Sequence, residues 1–161
     1  MAGVDFQKVF KTSSFILYMK NKVFVSGCFD LLHSGHVRFF EEASQFGELY
    51  VAIGSDKTVR ELKERETINT EAERLYIVNA IKFVKKAFIS SGSGMLDFEP
   101  ELRKIVPSIF VVNEDGDKIE KRRLCEELGI KYYVLKRTPK DGLPMRSTTL
   151  LRKQNLIKKE I

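Results

Sequence analysis

The sequence predicts an α/β protein in which helices cover both faces of a parallel five-stranded sheet. The segments between the predicted strands carry apolar residues at helical spacing, and strands that alternate with helices in this way pair in parallel. Short apolar runs typical of buried strands occur at 22–26, 48–54, 86–90, 109–113 and 131–135.

The first two helices have clear sequence signals. Within 36–46, four apolar side chains fall near one helical face. The second helix opens with Thr70, and Glu73 follows three residues later, which is the arrangement of a capping box. Its apolar positions continue to residue 81. Both segments therefore predict amphipathic helices packed on the sheet.

The remaining helices are marked by residues typical of helix ends. One begins near Pro100, because proline suits the first helical turn. Another covers 118–128 and ends at Gly129, where a left-handed cap is expected. The last begins at Ser147, a good N-cap residue, and runs toward residue 159.

The length of 161 residues fits one domain and leaves too little chain for a second full core. Since the first strand begins near residue 22, we assign 19–161 to that domain and 1–18 to an N-terminal extension. No tract approaches the roughly 18 apolar residues of a membrane helix, and no secretory cleavage signature is found. We therefore expect a cytoplasmic protein with no membrane partner, in which Cys28 and Cys125 are reduced.

The net charge of +6 has much of its excess near the C-terminus. A basic balance attracts polyanions, which include nucleotides, nucleic acid and anionic membrane surfaces. Most of these lysines are equally consistent with a solvated face. Charge alone therefore does not identify a partner.

The loop after the first strand holds the most unusual residues of the chain, at the edge where open parallel sheets bind ligands. Both histidines of the protein, His33 and His36, lie there, directly before a helix. Gly27 lets a phosphate approach the backbone, and Gly35 allows a tight turn into the helix. The free N–H groups of the helix N-terminus favour anions. The loop therefore predicts a phosphate site.

The histidine pair has two other possible interpretations, a structural role and a zinc site. In the first, one ring only caps the helix and the other only packs in the core, which is the ordinary role of such residues. A zinc site needs further ligands, and Asp30 is the only nearby carboxylate. The strand–loop–helix context favours the phosphate site over both.

The residues GCFDLLHSGH at 27–36 resemble the GxFDxxHxGH signature of the cytidylyltransferase-like nucleotidyltransferases. Within that family, we expect the likeness to be greatest to glycerol-3-phosphate cytidylyltransferases and their neighbours. Near the end, Arg137-Thr138 followed by STTLLR at 147–152 resembles a second signature of the family. The likeness covers most of the chain from residue 22 onward.

The resemblance implies a Rossmann-like α/β fold, a three-layer sandwich whose five-stranded parallel sheet has the order 3-2-1-4-5. It also implies a transferase in which an acceptor phosphate attacks the α-phosphorus of CTP, Mg²⁺ screens charge and pyrophosphate leaves. Frequent homodimers in the family suggest a homodimer here. The acceptor is a phosphorylated small molecule of unknown identity.

The family's roles transfer to matching positions. His33, His36 and Lys63 are the expected catalytic residues, although Lys57 or Arg60 could replace Lys63 and Arg74 could simply pair with a glutamate. Asp30 either orients the loop or assists a metal, and Ser147 could be only a helix cap. The residues expected to bind the nucleotide phosphates are Gly27, Cys28, Phe29, Asp30, Gly35, Arg137, Ser147, Thr148 and Thr149.

Two segments depart from the glycerol-3-phosphate pattern, in which the fourth strand is followed by a GDDW-type sequence. Here NEDGD follows at 113–117, and an insert occupies 139–145. Asn113 and Asp115 are candidates for the base or acceptor pocket. Because both segments lie where specificity is set, an adenylyltransferase that uses ATP is the alternative to CTP. A non-catalytic nucleotide- or nucleic-acid-binding module is a third hypothesis, and no aromatic RNA motif supports it.

Overall fold

A computed structural model describes residues 21–157 of the chain. Its single sheet has five strands, all parallel, in the order β3-β2-β1-β4-β5, as the sequence predicted. The predicted extension at 1–18 lies outside the described residues. The strands are β1 (Lys22–Gly27), β2 (Glu48–Ile53), β3 (Val84–Ile89), β4 (Ile109–Asn113) and β5 (Lys131–Leu135).

The described part also has six α-helices and three short 3₁₀ turns, which lie between successive strands except for the last helix, which follows β5. The helices are α1 (Ser34–Ala43), α2 (Asp56–Lys63), α3 (Glu71–Asn79), α4 (Glu99–Ile105), α5 (Ile119–Glu127) and α6 (Thr148–Ile157). The turns are Ser44–Phe46, Gly94–Leu96 and Glu114–Gly116. Between residues 21 and 157, no helix has the length and apolar character needed to cross a membrane.

The sheet divides the interior into two apolar layers. On one face, α1 and α3 pack through side chains that include Phe40 and Val78. On the other face, α4 and α5 pack through side chains that include Leu102 and Leu124. This three-layer arrangement is the predicted Rossmann-like sandwich, and it leaves the carboxyl edge of the sheet open between the helices.

Local signals placed most helix ends correctly. The Thr70 hydroxyl accepts from the Glu73 N–H (3.3 Å), and the Ser147 hydroxyl accepts from the Leu150 N–H (3.2 Å), as N-caps do. Gly129 has the expected left-handed φ of 68°. Helix α1 begins earlier than predicted, because His33 caps it with its own ring.

Helix α2 was not predicted. Its sequence DKTVRELK is mostly charged, and only Thr58 and Val59 are buried. The segment lacks the broad apolar stripe by which a helix is found in sequence. It forms because Ser55 caps it, accepting from the Thr58 N–H (3.1 Å), and because Val59 packs beside the open sheet edge.

A crevice opens where the strand order reverses. Strand β1 pairs with β2 along its whole length, up to Gly27 opposite Ile53. Its pairing with β4 stops at Phe24 opposite Phe110, so the two strands separate toward their carboxyl ends. This is the position at which open α/β sheets bind ligands.

Candidate active site

The crevice is a cleft of about 590 Å³ at the carboxyl edge of the sheet. Most of the site residues expected from sequence line it, whereas His33 and Gly35 are not among the lining residues. The expected residues that line the cleft are Gly27, Cys28, Phe29, Asp30, His36, Lys63, Asn113, Asp115, Arg137, Ser147, Thr148 and Thr149.

The two histidine rings are stacked, with centroids 3.9 Å apart and an interplanar angle of 24°. His33 is the N-cap of α1, and its Nδ1 accepts from the Gly35 N–H (3.1 Å). A neutral ring that accepts at Nδ1 carries its proton on Nε2. Neither His33 Nε2 nor His36 Nδ1 has a hydrogen-bond partner among the described residues. These two buried ring nitrogens therefore have hydrogen-bonding capacity that the described residues do not use.

The ring of Phe29 packs against the histidine pair and supports its position. Its ring meets His36 edge-on, with centroids 5.4 Å apart, and also packs on Phe40. To place the ring there, Phe29 adopts a φ of 51°, which is uncommon for a bulky residue. A Cβ on Gly27 would lie 2.8 Å from the Phe29 ring. Gly27 is therefore required by packing, in addition to any approach of phosphate.

Gly35 has a different role from the expected tight turn. A Cβ at this position would lie 2.9 Å from Cε1 of His33. Its backbone φ is not among the positive values, so no turn requires glycine there. The missing side chain is what allows the His33 ring to fold back over the helix start.

Burial and neighbouring cations hold both imidazoles in the neutral form. Burial lowers the pKa of His36 to about 3, with smaller contributions from His33, Arg137 and Lys63. Burial also lowers the pKa of His33, and Arg137 and Arg146 act in the same direction. These neighbours make the site strongly cationic, so a phosphate chain would relieve the repulsion.

Asp30 is a structural anchor for the loop. Its carboxylate is 1% exposed and accepts from the N–H groups of Ile68 (2.8 Å) and Asn69 (2.9 Å) and from Arg152. Burial raises the pKa of Asp30, but these hydrogen bonds outweigh it and the net shift is downward. With its oxygens engaged, Asp30 orients the loop, which was one of its two expected roles.

The sequence left open whether Arg74 simply pairs with a glutamate. In the structure its ion-pair partner is Asp56 instead. Arg74 is fully buried and donates to Asp56 Oδ1 (2.7 Å), to the carbonyl of Cys28 (2.6 Å) and to the carbonyl of Asn69 (3.2 Å). A guanidinium can satisfy several acceptors at once in a fixed plane. Arg74 therefore ties α3 to the histidine loop and to α2.

The structure distinguishes Lys63 from its neighbours. Lys63 ends α2 and lines the cleft, and its charge acts on His36. Arg60 instead forms an exposed ion pair with Glu66 (2.5 Å), and Lys57 lies 3.9 Å from Glu61. Of the three cations considered from sequence, only Lys63 lines the cleft.

The opposite wall is built by Arg137 and the start of α6. Arg137 donates to Asp115 (2.9 Å) and to the carbonyl of Arg146 (2.7 Å). This second bond holds the residue before Ser147, so the first turn of α6 faces the cleft. Ser147 is a cap, and it also lines the cleft with Thr148 and Thr149. The two roles proposed for Ser147 are compatible.

The insert at 139–145 contributes none of the residues that line the cleft. Lys140 forms an ion pair with Glu41 of α1 (3.0 Å), which holds the insert near that helix. The expected influence of the insert on specificity has no direct contact to support it.

Sequence reasoning missed four charged residues that line the cleft: Arg65, Asp97, Lys118 and Lys121. Arg65 lies 3.4 Å from Asp30, and Asp97 and Lys121 are buried in the lining. No local motif marks them, because they reach the cleft from three different connections between the strands. A buried acid and a buried lysine would have been found only from their place in the fold.

A parallel sheet with a cleft at the point where its strand order reverses is the arrangement of ligand-binding α/β proteins, among them those that bind nucleotides. The comparison with families makes this specific: a family model described as cytidylyltransferase-like matches residues 24–157. The chain belongs to this family, and it is a nucleotidyltransferase.

Individual relatives agree. The chain is 40% identical over 121 residues to the "FAD synthase" of Thermococcus onnurineus, covering 73% of this chain and 79% of that protein. It is 35% identical over 136 residues to the "FAD synthase" of Methanocella paludicola, covering 83% of this chain and 94% of the relative. A lipopolysaccharide core biosynthesis protein from Thermoplasma volcanium has a similar structure, with a TM-score of 0.62, 26% identity and coverage of 76% and 99%.

Proposed function

We propose that the protein is an FMN adenylyltransferase, which joins ATP to FMN and releases pyrophosphate. The names of the relatives support ATP, so we replace the expectation of CTP with the alternative considered from sequence. FMN is a phosphorylated acceptor, which is the class that the sequence led us to expect. The observation that carries the proposal is the stacked pair of neutral histidines beside Arg137 and Lys63 in a cleft of about 590 Å³.

The proposed reaction is an in-line displacement. A phosphate oxygen of FMN attacks the α-phosphorus of ATP, and the bond from that phosphorus to the β-phosphate oxygen breaks. His33 and His36 donate to the oxygens around the α-phosphorus, where charge builds up. Arg137 and the N-terminus of α6 hold the leaving pyrophosphate. Lys63 stabilises the two phosphates as they approach each other. No covalent enzyme intermediate is needed.

We propose that Mg²⁺ enters as part of the nucleotide substrate. Between residues 21 and 157 no group of three or more histidine, cysteine or acidic side chains could hold a metal ion. Mg²⁺ in nucleotide sites is commonly held by phosphate oxygens and water, with one or two carboxylates. The ion would screen charge on the triphosphate, and the cations of the cleft would act beside it.

The first experiment identifies the nucleoside triphosphate that binds, before any acceptor is added. Unfolding temperature is measured with ATP, CTP, GTP and UTP in the presence of Mg²⁺, and His33→Ala is the control. A ligand at about a hundred times its dissociation constant stabilises the native state by roughly 2.7 kcal/mol. ATP is expected to stabilise the protein most. Incubation with FMN and ATP should then yield FAD and pyrophosphate in equal amounts, and stabilisation by CTP alone would sink the proposal.

A further inference from the structure

Two buried charges of opposite sign line the cleft without pairing with each other. Asp97, between β3 and α4, is 6% exposed, and Lys121 of α5 is 9% exposed. No ion pair within 4 Å joins them among residues 21–157. Phe98 lies near both, because it follows Asp97 in the chain and its ring centroid is 5.8 Å from the Lys121 ammonium.

Both groups have hydrogen-bonding capacity that the described residues do not use. Asp97 Oδ2 has no partner, although it faces Gly54, where an added Cβ would lie 3.4 Å away. Lys121 donates to the carbonyl of Gly116 (3.2 Å), which uses one of its three N–H donors. Burial raises the pKa of Asp97, and Glu101 acts in the same direction, whereas Thr58, Ser90 and Lys121 lower it.

Such groups are costly unless something binds them. A buried polar atom without a partner destabilises the folded protein by about 1–3 kcal/mol, and a buried charge by more. Unpaired buried charges in a cleft therefore point to a ligand that supplies the missing bonds. The ligand must offer an N–H to the carboxylate and, nearby, a carbonyl oxygen to the ammonium.

The in-line geometry of the proposed reaction indicates which substrate reaches them. The attacking phosphate must lie opposite the leaving pyrophosphate, which Arg137 and α6 hold beside β4 and β5. The acceptor therefore lies toward β2 and β3, where Asp97 follows β3. Lys121 reaches the same place from α5, with its ammonium 5.8 Å from the ring centroid of Phe98, the residue after Asp97. Apolar side chains line that part of the cleft and suit a flat ring, and they are Val59, Leu62, Met95 and Phe98.

We propose that Asp97 and Lys121 are specificity-determining residues that bind the imide edge of the flavin ring, with Asp97 accepting from N3–H and Lys121 donating to an adjacent carbonyl. This inference rests on the proposed function. Adenine also has an amino group beside a ring acceptor, and we assign it to Asn113 and Asp115 at the end of β4. Lys121 donates to Gly116 of the same turn and lies 5.8 Å from the Phe98 ring, so its ammonium lies between that pocket and Asp97. The pair would then reject acceptors that lack the imide.

The test compares FMN with N3-methyl-FMN, which lacks the N–H and carries a methyl group in its place. With the unaltered protein and saturating ATP, kcat/KM for the methylated flavin should be lower by at least about tenfold, the scale of a hydrogen bond to a charged group. In Asp97→Ala, kcat/KM for FMN should fall by a similar factor. The methylated flavin should then lose little more, and the KM for ATP should stay within about twofold.

Lys121→Met keeps the stem packed near Phe98 and removes the ammonium, so it should also lower kcat/KM for FMN. Matched controls on exposed positions are Lys104→Met in α4 and Glu120→Gln in α5, which should leave the rates unchanged. Because Asp97 Oδ2 lacks a partner and burial raises the pKa of this carboxyl, Asp97→Asn should unfold at the same or a higher temperature. This milder variant keeps the test valid if the alanine variant folds poorly.

The outcomes separate the two proposals. If the unaltered protein makes no FAD from FMN and ATP, the proposed function fails, and the flavin contact fails with it. If FAD forms and both flavins react equally well, the function stands and the contact is overturned. If Asp97→Ala raises the KM for ATP and leaves that for FMN unchanged, the pair binds adenine, which also overturns the inference.

Discussion

His33 and His36 stack face to face with centroids 3.9 Å apart, and His33 is fixed by the hydrogen bond that it accepts from the N–H of Gly35. Two cationic rings in this position would repel each other. Their lowered pKa values keep both neutral in the free protein at neutral pH. A phosphate chain bound beside them would supply partners for the free nitrogens and favour protonation. We therefore expect nucleotide binding to be coupled to the protonation of the pair.

The first prediction concerns turnover. His36→Gln keeps the approximate volume of the ring and removes its donor at the α-phosphorus. We expect kcat to fall at least roughly a hundredfold, the scale of losing one transition-state donor, with an unchanged unfolding temperature. Pyrophosphate release at saturating substrates measures this. Near-normal turnover would show that His36 only packs against Phe29.

The second prediction concerns stability against pH. The pKa of His36 is about 3 in the folded protein and near 6.5 when unfolded, so the unfolded chain binds more protons between these values. The contribution of neutral His36 to the free energy of unfolding is fully present above pH 6.5. It is lost as the pH falls through this window, by up to about 1.4 kcal/mol per pH unit. Denaturant unfolding from pH 7 to pH 4 should show a shallower loss for His36→Gln. Equal slopes would contradict the lowered pKa.

The third prediction concerns Arg74. Because Arg74 is fully buried and bonded to Asp56 and the Cys28 carbonyl, Arg74→Met should cost about 3 kcal/mol of unfolding free energy. The matched control is Arg60→Met, whose exposed pair with Glu66 should contribute less than about 1 kcal/mol. Urea unfolding of both variants measures the difference. Similar losses would mean that burial of Arg74 has little energetic consequence.

The fourth prediction concerns Arg152, which joins α6 to the buried Asp30 carboxylate. In Arg152→Met, α6 loses this anchor, and its first turn is less firmly held over the triphosphate. We expect the KM for ATP to rise by about five- to tenfold while the KM for FMN changes little, the scale of a charge-assisted hydrogen bond. Lys153→Met, on the exposed side of α6, is the control. A rise in both KM values would assign Arg152 to general folding instead.

The sequence determined the features that depend on neighbouring residues. Caps such as Thr70 and Ser147, the turn at Gly129 and the alternation of strands and helices follow from local chemistry, and the structure agrees with them. The histidine loop could also be located, because a parallel sheet binds ligands at the carboxyl ends of its strands. The family's chemistry could therefore be predicted from the sequence of this loop.

Only the tertiary structure decided which distant residues meet. Helix α2 has too few apolar residues to be seen in sequence, and it forms against the open edge of the sheet. Arg74 reaches Asp56 and Cys28, and Asp97 comes near Lys121, across connections that separate them in the chain. The spacing of residues along the chain predicts only which side chains are neighbours on the same helix or strand. The burial and pairing of charges depend on how the helices and strands pack together. For this reason the reaction class could be predicted from the sequence, whereas the contacts that we propose to select the substrates depend on the fold.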